Sequence, residues 1–220
     1  MYYTINIIKR RGENKMNRKM FLSSSFSDVS QLLPELLGDL SNKRVTFIPT
    51  ASKVEKVNFF VKSGKKALEK MGAVIDELEL STATAEEIKT KIEKNDIIYI
   101  SGGNTFFLLQ EMKKTGADKL IIEEIGKGKP YIGESAGSII TSPNIEYIKL
   151  MDPVEKAPEL SDYNSLNLVE FYILPHYNNF PFKKVADKIF ELYSTKLPLR
   201  TISNDEVILV DGDRVDIKSK

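Results

Sequence analysis

The sequence has no cysteine and only one histidine among its 220 residues. The first absence excludes a thiolate nucleophile, a disulfide framework and thiolate-bound zinc. The second excludes metal sites built from several imidazoles, such as the two-histidine helix of metalloproteases. Covalent catalysis would have to rest on Ser, Thr, Lys or a carboxylate, helped by at most one imidazole. No run reaches the ~20 consecutive apolar residues of a membrane-spanning helix. An excess of one charge is missing as well: 32 Lys and Arg face 31 Asp and Glu, which leaves no electrostatic footprint for a polyanion. At the start, the apolar stretch Met1–Ile8 is followed by Lys9, Arg10 and Arg11, the reverse of a signal peptide's charge order. The expectation is a cytoplasmic protein with neither nucleic acid nor membrane as partner, acting as a monomer or homodimer.

What is present suffices for one substantial core, since 41% of the residues are hydrophobic. Residues 19–220 read as a single domain and residues 1–18 as an extension that is not native. Arg11-Gly12-Glu13 is encodable by AGG-GGA-GAA-like triplets, the pattern of a ribosome-binding site, so Met16 or Met20 is the expected start.

From Lys19 onward, short apolar runs alternate with amphipathic stretches, the signature of α/β units around a mostly parallel sheet. Strands are expected at 19–23, 44–49, 74–79, 96–101 and 130–133, then at 145–150, 170–174, 201–203, 207–210 and 214–217. Helices are expected at 27–37, 53–71, 85–93, 105–115, 117–127 and 182–193. Val57, Phe60, Val61, Gly64, Ala67, Leu68 and Met71 recur at helical spacing and read as one core-facing stripe. Start signals stand at Asp28, at Thr84 with Glu87 three residues on, and at Asn104 or Thr105. Two strand-like runs around Asp211-Gly212 predict a C-terminal β-hairpin.

Three segments can carry chemistry. In the first, the strand-like Pro130–Gly133 runs through Gly133-Glu134-Ser135-Ala136-Gly137 into a helix, the context of a nucleophile elbow. Small residues on both sides permit the sharp turn that lifts the Ser135 hydroxyl clear of the sheet edge. The second, Ile100-Ser101-Gly102-Gly103-Asn104-Thr105, again feeds a strand into a helix, and its amides could join that of Ala136 in an oxyanion hole. The third, Leu174-Pro175-His176-Tyr177-Asn178, places the sole histidine at a strand end, where it can serve as base for Ser135. A base of this kind needs an orienting group, which is expected to be a carboxylate. Asp152, at the end of a strand-like run and before Pro153, is the first candidate, and Glu146 the second.

These three motifs, in this order, resemble peptidase E, the aspartyl dipeptidase family that also contains cyanophycinases. The likeness runs from about Lys19 to the C-terminus. It implies a three-layer α/β/α fold similar to class I glutamine amidotransferases, and metal-free, cofactor-free hydrolysis of dipeptides with N-terminal aspartate by a Ser-His-Asp or Ser-His-Glu triad. Carried over, Ser135 is the nucleophile, His176 the base and acid, and Gly103 with Ala136 the oxyanion hole, with Asp152 nearest the family acid. Gly102, Asn104, Tyr177 and Lys183 are expected along the substrate. An arginine-containing segment that follows the histidine in the enterobacterial branch is replaced here by Phe182-Lys183-Lys184, which lacks the bidentate guanidinium. Two alternatives stay open: hydrolysis of another small acyl bond, such as a β-aspartyl link or an ester, and a non-catalytic domain using its glycine turns to bind a small molecule or phosphate.

Overall fold

Apolar runs without alternation become parallel strands covered on both faces, and Ile97-Ile98-Tyr99-Ile100 is the clearest case, buried at every position. In this computed structural model, which describes residues 18–220, that run is an interior strand of a mixed sheet, next to its middle one. The part of the expected extension before Arg18, Met16 included, lies outside the described residues. Strands β1 (Lys19–Ser23), β2 (Arg44–Ile48), β3 (Val74–Glu77), β4 (Ile97–Ile100) and β5 (Tyr131–Glu134) run parallel. A short parallel pair, β6 (Tyr172–Leu174) and β7 (Leu199–Thr201), stands apart. Strands β8 (Glu206–Asp211) and β9 (Arg214–Ser219) form the expected terminal hairpin and join antiparallel, giving seven strands in the order β3-β2-β4-β5-β1-β8-β9.

Helices cover both faces. On one side lie α1 (Phe26–Val29), α2 (Leu33–Leu37) and α3 (Phe59–Lys70), and their Phe26, Val29, Leu33, Leu36 and Leu68 meet Phe21, Phe47 and Tyr99 of the sheet. On the other lie α4 (Ala85–Lys94), α5 (Thr105–Thr115), α6 (Ala117–Gly126), α7 (Ala136–Ile139) and α8 (Lys183–Tyr193), packed on Met20, Leu22, Ile98 and Ile100. Alternate residues of β1 thus point to opposite cores, as the two-residue period of a strand requires. Two start signals act as expected: Thr84 accepts from the Glu87 N–H, and Asn104 from the Phe107 N–H at 2.9 Å. None of the described helices is long and apolar enough to cross a membrane.

Several elements differ from the pattern-based expectation. The strand expected at 145–150 is a 3₁₀ turn, Glu146–Ile148, because Ile145, Tyr147 and Ile148 are buried by a tight turn that short apolar runs cannot be told from a strand. The helix expected at 27–37 breaks into α1, a 3₁₀ turn and α2, with Pro34 in the first turn of α2 where its missing N–H costs nothing. The helix expected from residue 53 begins at Phe59 after a 3₁₀ turn, so Val57 leaves the stripe and is 60% exposed, while Gly64 and Leu68 are its buried members.

Between β4 and α7 the backbones approach so closely that a side chain on Gly137 would place its Cβ 2.1 Å from the Ile100 carbonyl oxygen. Gly137→Ala is expected to destabilise the protein by about 3 kcal/mol, the cost of overpacking against a backbone that cannot yield. An unchanged denaturant midpoint would contradict this close approach.

Candidate active site

The turn from β5 into α7 consists of one residue. Ser135 adopts φ 48° and ψ −106°, a conformation costing a non-glycine residue on the order of 1–3 kcal/mol, so the surroundings must hold it. They do so from both sides. A Cβ on Gly133 would lie 2.6 Å from the Gly137 carbonyl oxygen, so only glycine lets the two arms of the turn close. The Ser135 N–H donates to the Ser23 carbonyl at 2.9 Å, and the Ser138 hydroxyl lies 2.8 Å from the same carbonyl, fastening the elbow to the end of β1.

His176 meets this serine from the loop after β6. Its Nε2 is 2.9 Å from Ser135 Oγ. The residue itself has φ 58°, a second left-handed non-glycine position. Its N–H donates to Ser24 Oγ at 3.0 Å, the Ser24 hydroxyl donates to the Ile202 carbonyl, and the ring stacks on Phe182 at 4.6 Å. The other ring nitrogen, Nδ1, stands 2.8 Å from Asn204 Oδ1. An amide oxygen only accepts, so this contact selects the Nδ1–H tautomer and leaves Nε2 bare toward the Ser135 hydroxyl. Asn204 is held in turn by its own N–H, which donates to Asn179 Oδ1 at 2.8 Å. Burial holds the imidazole below its ordinary pKa, against the opposing pull of the Asn204 hydrogen bond, so the ring stays neutral and proton-accepting at neutral pH.

The expected oxyanion donors lie beside the serine. A Cβ on Gly102 would be 3.3 Å from Ser135 Cβ, which sets the β4–α5 turn directly against it. Gly103 has φ 133°, and a side chain there would run into the Ala51 carbonyl at 2.2 Å. Ala136 opens α7, where an N–H has no partner within the helix.

The carboxylates expected to orient His176 are elsewhere. Asp152 is half-buried and accepts from the Thr105 N–H at 2.9 Å and the Thr105 hydroxyl at 2.5 Å, so it caps α5 instead of touching the imidazole. Burial, opposed by those two hydrogen bonds, pushes it up to about 6. Glu146 is exposed and pairs with Lys149 at 2.8 Å. Asn104 caps α5 and donates to the Pro153 carbonyl at 2.9 Å, so it braces the segment that carries Asp152. Tyr177 packs its ring against Phe190 at 5.5 Å, on the side of the core. Lys183 is bound by Asn178 and Asp187, each at 3.0 Å. The group that faces the imidazole Nδ1 is Asn204, in a polar turn between β7 and β8. A search restricted to carboxylates between Ser135 and His176 could not find it; the one available signal is the run Ser203-Asn204-Asp205 at the end of an apolar stretch.

The chain is a peptidase. It belongs to peptidase family S51, whose model matches residues 19–218. It is 56% identical over 201 residues to an uncharacterized peptidase of Listeria monocytogenes, covering 91% of this chain and 98% of the relative. Peptidase E of a Nostoc species is 29% identical over 172 residues, covering 74% and 67% of the two chains. A crystal structure of a Listeria monocytogenes protein assigned provisionally to peptidase E superposes with a TM-score of 0.89 at 55% identity, covering 92% of this chain and 98% of that one.

Because His176 is the sole histidine, its titration can be followed by NMR without assignment ambiguity. Asn204→Ala is expected to lower the midpoint further, since the amide raises it. Asn204→Asp is expected to raise it, because a carboxylate stabilises the imidazolium. Identical midpoints in all three proteins would exclude the Asn204 contact.

Proposed function

We propose that this peptidase is of the serine type and cleaves short peptides through an acyl-enzyme, with Ser135 as nucleophile, His176 as base and then acid, and Asn204 as the group that orients the imidazole. The observation that carries this reading is the 2.9 Å contact between Ser135 Oγ and a bare His176 Nε2 at a strained strand-to-helix elbow. In the first step Ser135 Oγ attacks the scissile carbonyl carbon while Nε2 takes the hydroxyl proton. The oxygen of the tetrahedral adduct gathers the negative charge and is met by the amides of Gly103 and Ala136. His176 then passes its proton to the leaving amine, the C–N bond breaks, and the acyl group stays on Ser135. A water molecule, deprotonated by the same nitrogen, releases the acid and restores the hydroxyl.

An amide in the third position orients the ring without adding charge. It gives up the electrostatic help that a carboxylate lends to the imidazolium, while the neutral ring remains available to lower pH.

Dipeptides with N-terminal aspartate are the first substrate class to test, on the likeness to peptidase E. A broader acyl specificity, including β-aspartyl links and esters, is favoured by one observation: Lys183, the cation expected to meet an acidic side chain, is already engaged by Asn178 and Asp187.

The test joins a fluorophosphonate probe with release of aspartate from Asp-Leu and a panel of other dipeptides and esters. Wild type is expected to be labelled at Ser135. Ser135→Ala and His176→Asn are expected to lose turnover by about 10⁴-fold or more with folding intact. Absence of labelling, combined with a phosphate-dependent rise in Tm, would replace this reading by a non-catalytic binding domain.

A further inference from the structure

A buried carboxylate stands immediately before the proposed nucleophile, and the mechanism above does not use it. Glu134 ends β5 and is 3% exposed. Its Oε1 accepts from the Phe26 N–H at 3.0 Å and its Oε2 from the Tyr99 hydroxyl at 2.8 Å. The nearby Gly102 backbone also favours its charged form. Donors from the start of α1 and from β4 therefore converge on one group. With both oxygens engaged inside the protein, Glu134 is not placed to bind substrate.

The surroundings are built for this carboxylate. Tyr99 is fixed by stacking on Phe47 at 4.5 Å and by the edge of Phe26 at 5.2 Å, so its hydroxyl cannot move aside. Helix α3 passes over that hydroxyl with Gly64, where a Cβ would lie 2.5 Å from Tyr99 Oη and 3.8 Å from Glu134 Oε2. A glycine inside a helix costs about 1 kcal/mol relative to alanine, and here it makes room for a polar pair in an otherwise apolar layer. A charge so buried is costly unless it is fully hydrogen-bonded.

We propose that Glu134 is a positioning residue: in its ionised form it ties the end of β5 to α1 through the Phe26 N–H and to β4 through the Tyr99 hydroxyl, and so holds the adjoining Ser135 elbow in place against the β4–α5 turn. Protonation converts charge-assisted hydrogen bonds into neutral ones of about half the strength, which loosens the elbow. The inference rests on the reading of Ser135 as nucleophile. Charged and titratable neighbours are few. Asp28 from α1 opposes ionisation, Tyr99 from β4 and the Phe26 and Gly102 amides favour it, and α3 presents the uncharged Gly64. Beyond Ser135 stands His176. Burial outweighs the donors and pushes Glu134 up to about 7, so both forms are populated near neutrality.

The experiment measures the second-order rate of Ser135 modification by an alkyl fluorophosphonate across pH, with the His176 NMR titration in parallel. In wild type, Glu134 is expected to contribute an acid limb with its midpoint at about 7, above the His176 ionisation. Glu134→Gln is expected to react about 10-fold more slowly on the alkaline side of that limb, a fraction of the 10²–10³ lost with an oxyanion donor outright. The difference should close on the acid side, where wild-type Glu134 is itself neutral. Tyr99→Phe, which keeps the ring but removes one donor to the carboxylate, is expected to move the limb to higher pH. Two results would overturn the proposal: a Glu134→Gln rate equal to wild type throughout, or a uniform loss with the shape of the profile unchanged. If Glu134→Gln does not fold, a Tyr99→Phe profile coincident with wild type overturns it. A wild-type Ser135 that the probe never modifies overturns the nucleophile reading, and with it this one; a reactive Ser135 with unaltered profiles overturns only the role of Glu134.

Discussion

Everything at this site depends on how closely β5, α7 and β4 can approach. Gly133 and Gly137 leave no room for a side chain between the two arms of the elbow, and Gly137 rests on the Ile100 carbonyl. That contact forces Ser135 into a left-handed conformation, and the conformation lifts its hydroxyl toward His176. The same contact brings the end of β4 beside Ser135, so the turn with Gly102 and Gly103 arrives where an oxyanion would need it. Strain at one residue is thus sustained by backbone packing across three elements, with the elbow tied to β1 through Ser23 as well.

Around this rigid centre the polar groups divide their tasks by burial. Asp152, read from sequence as the orienting acid, instead neutralises the start of α5, where the unsatisfied N–H groups and positive end of the helix favour a carboxylate. Asn204 faces the imidazole with a neutral amide. Glu134 is surrounded by donors. The result is an imidazole that faces an amide instead of a carboxylate, while two acids, Glu134 and Asp152, are pushed above their ordinary pKa. Balance between charged and neutral forms is set by desolvation here, more than by ion pairs.

Local pattern made the elbow, the glycine turn and the histidine loop readable, because each joins the carboxyl end of a strand to a polar or glycine-rich turn. The antiparallel hairpin was equally visible in the two apolar runs flanking Gly212. Two things were not. Tyr147 and Ile148 are buried by a turn, and over so few residues the period of burial does not distinguish a turn from a strand. The partner of His176 depends on where β7 and β8 lie in three dimensions, a long-range fact with no local periodicity. Its being an amide hid it further from a search for acids. Glu134 was in plain view between Gly133 and Ser135, yet only the packing of Tyr99, Phe26 and Gly64 around it shows that it points inward.

The position of Asn204 has a consequence for the birth of the molecule. Ser135 and His176 leave the ribosome before the turn that faces the imidazole, and β1, which anchors the elbow, is flanked in the finished sheet by β8, which is made after both. A nascent chain that has completed its elbow still lacks the hairpin that closes the sheet and the amide that sets the ring. Synthesis order alone keeps the Ser135–His176 pair without its amide partner until the chain has grown past Asn204.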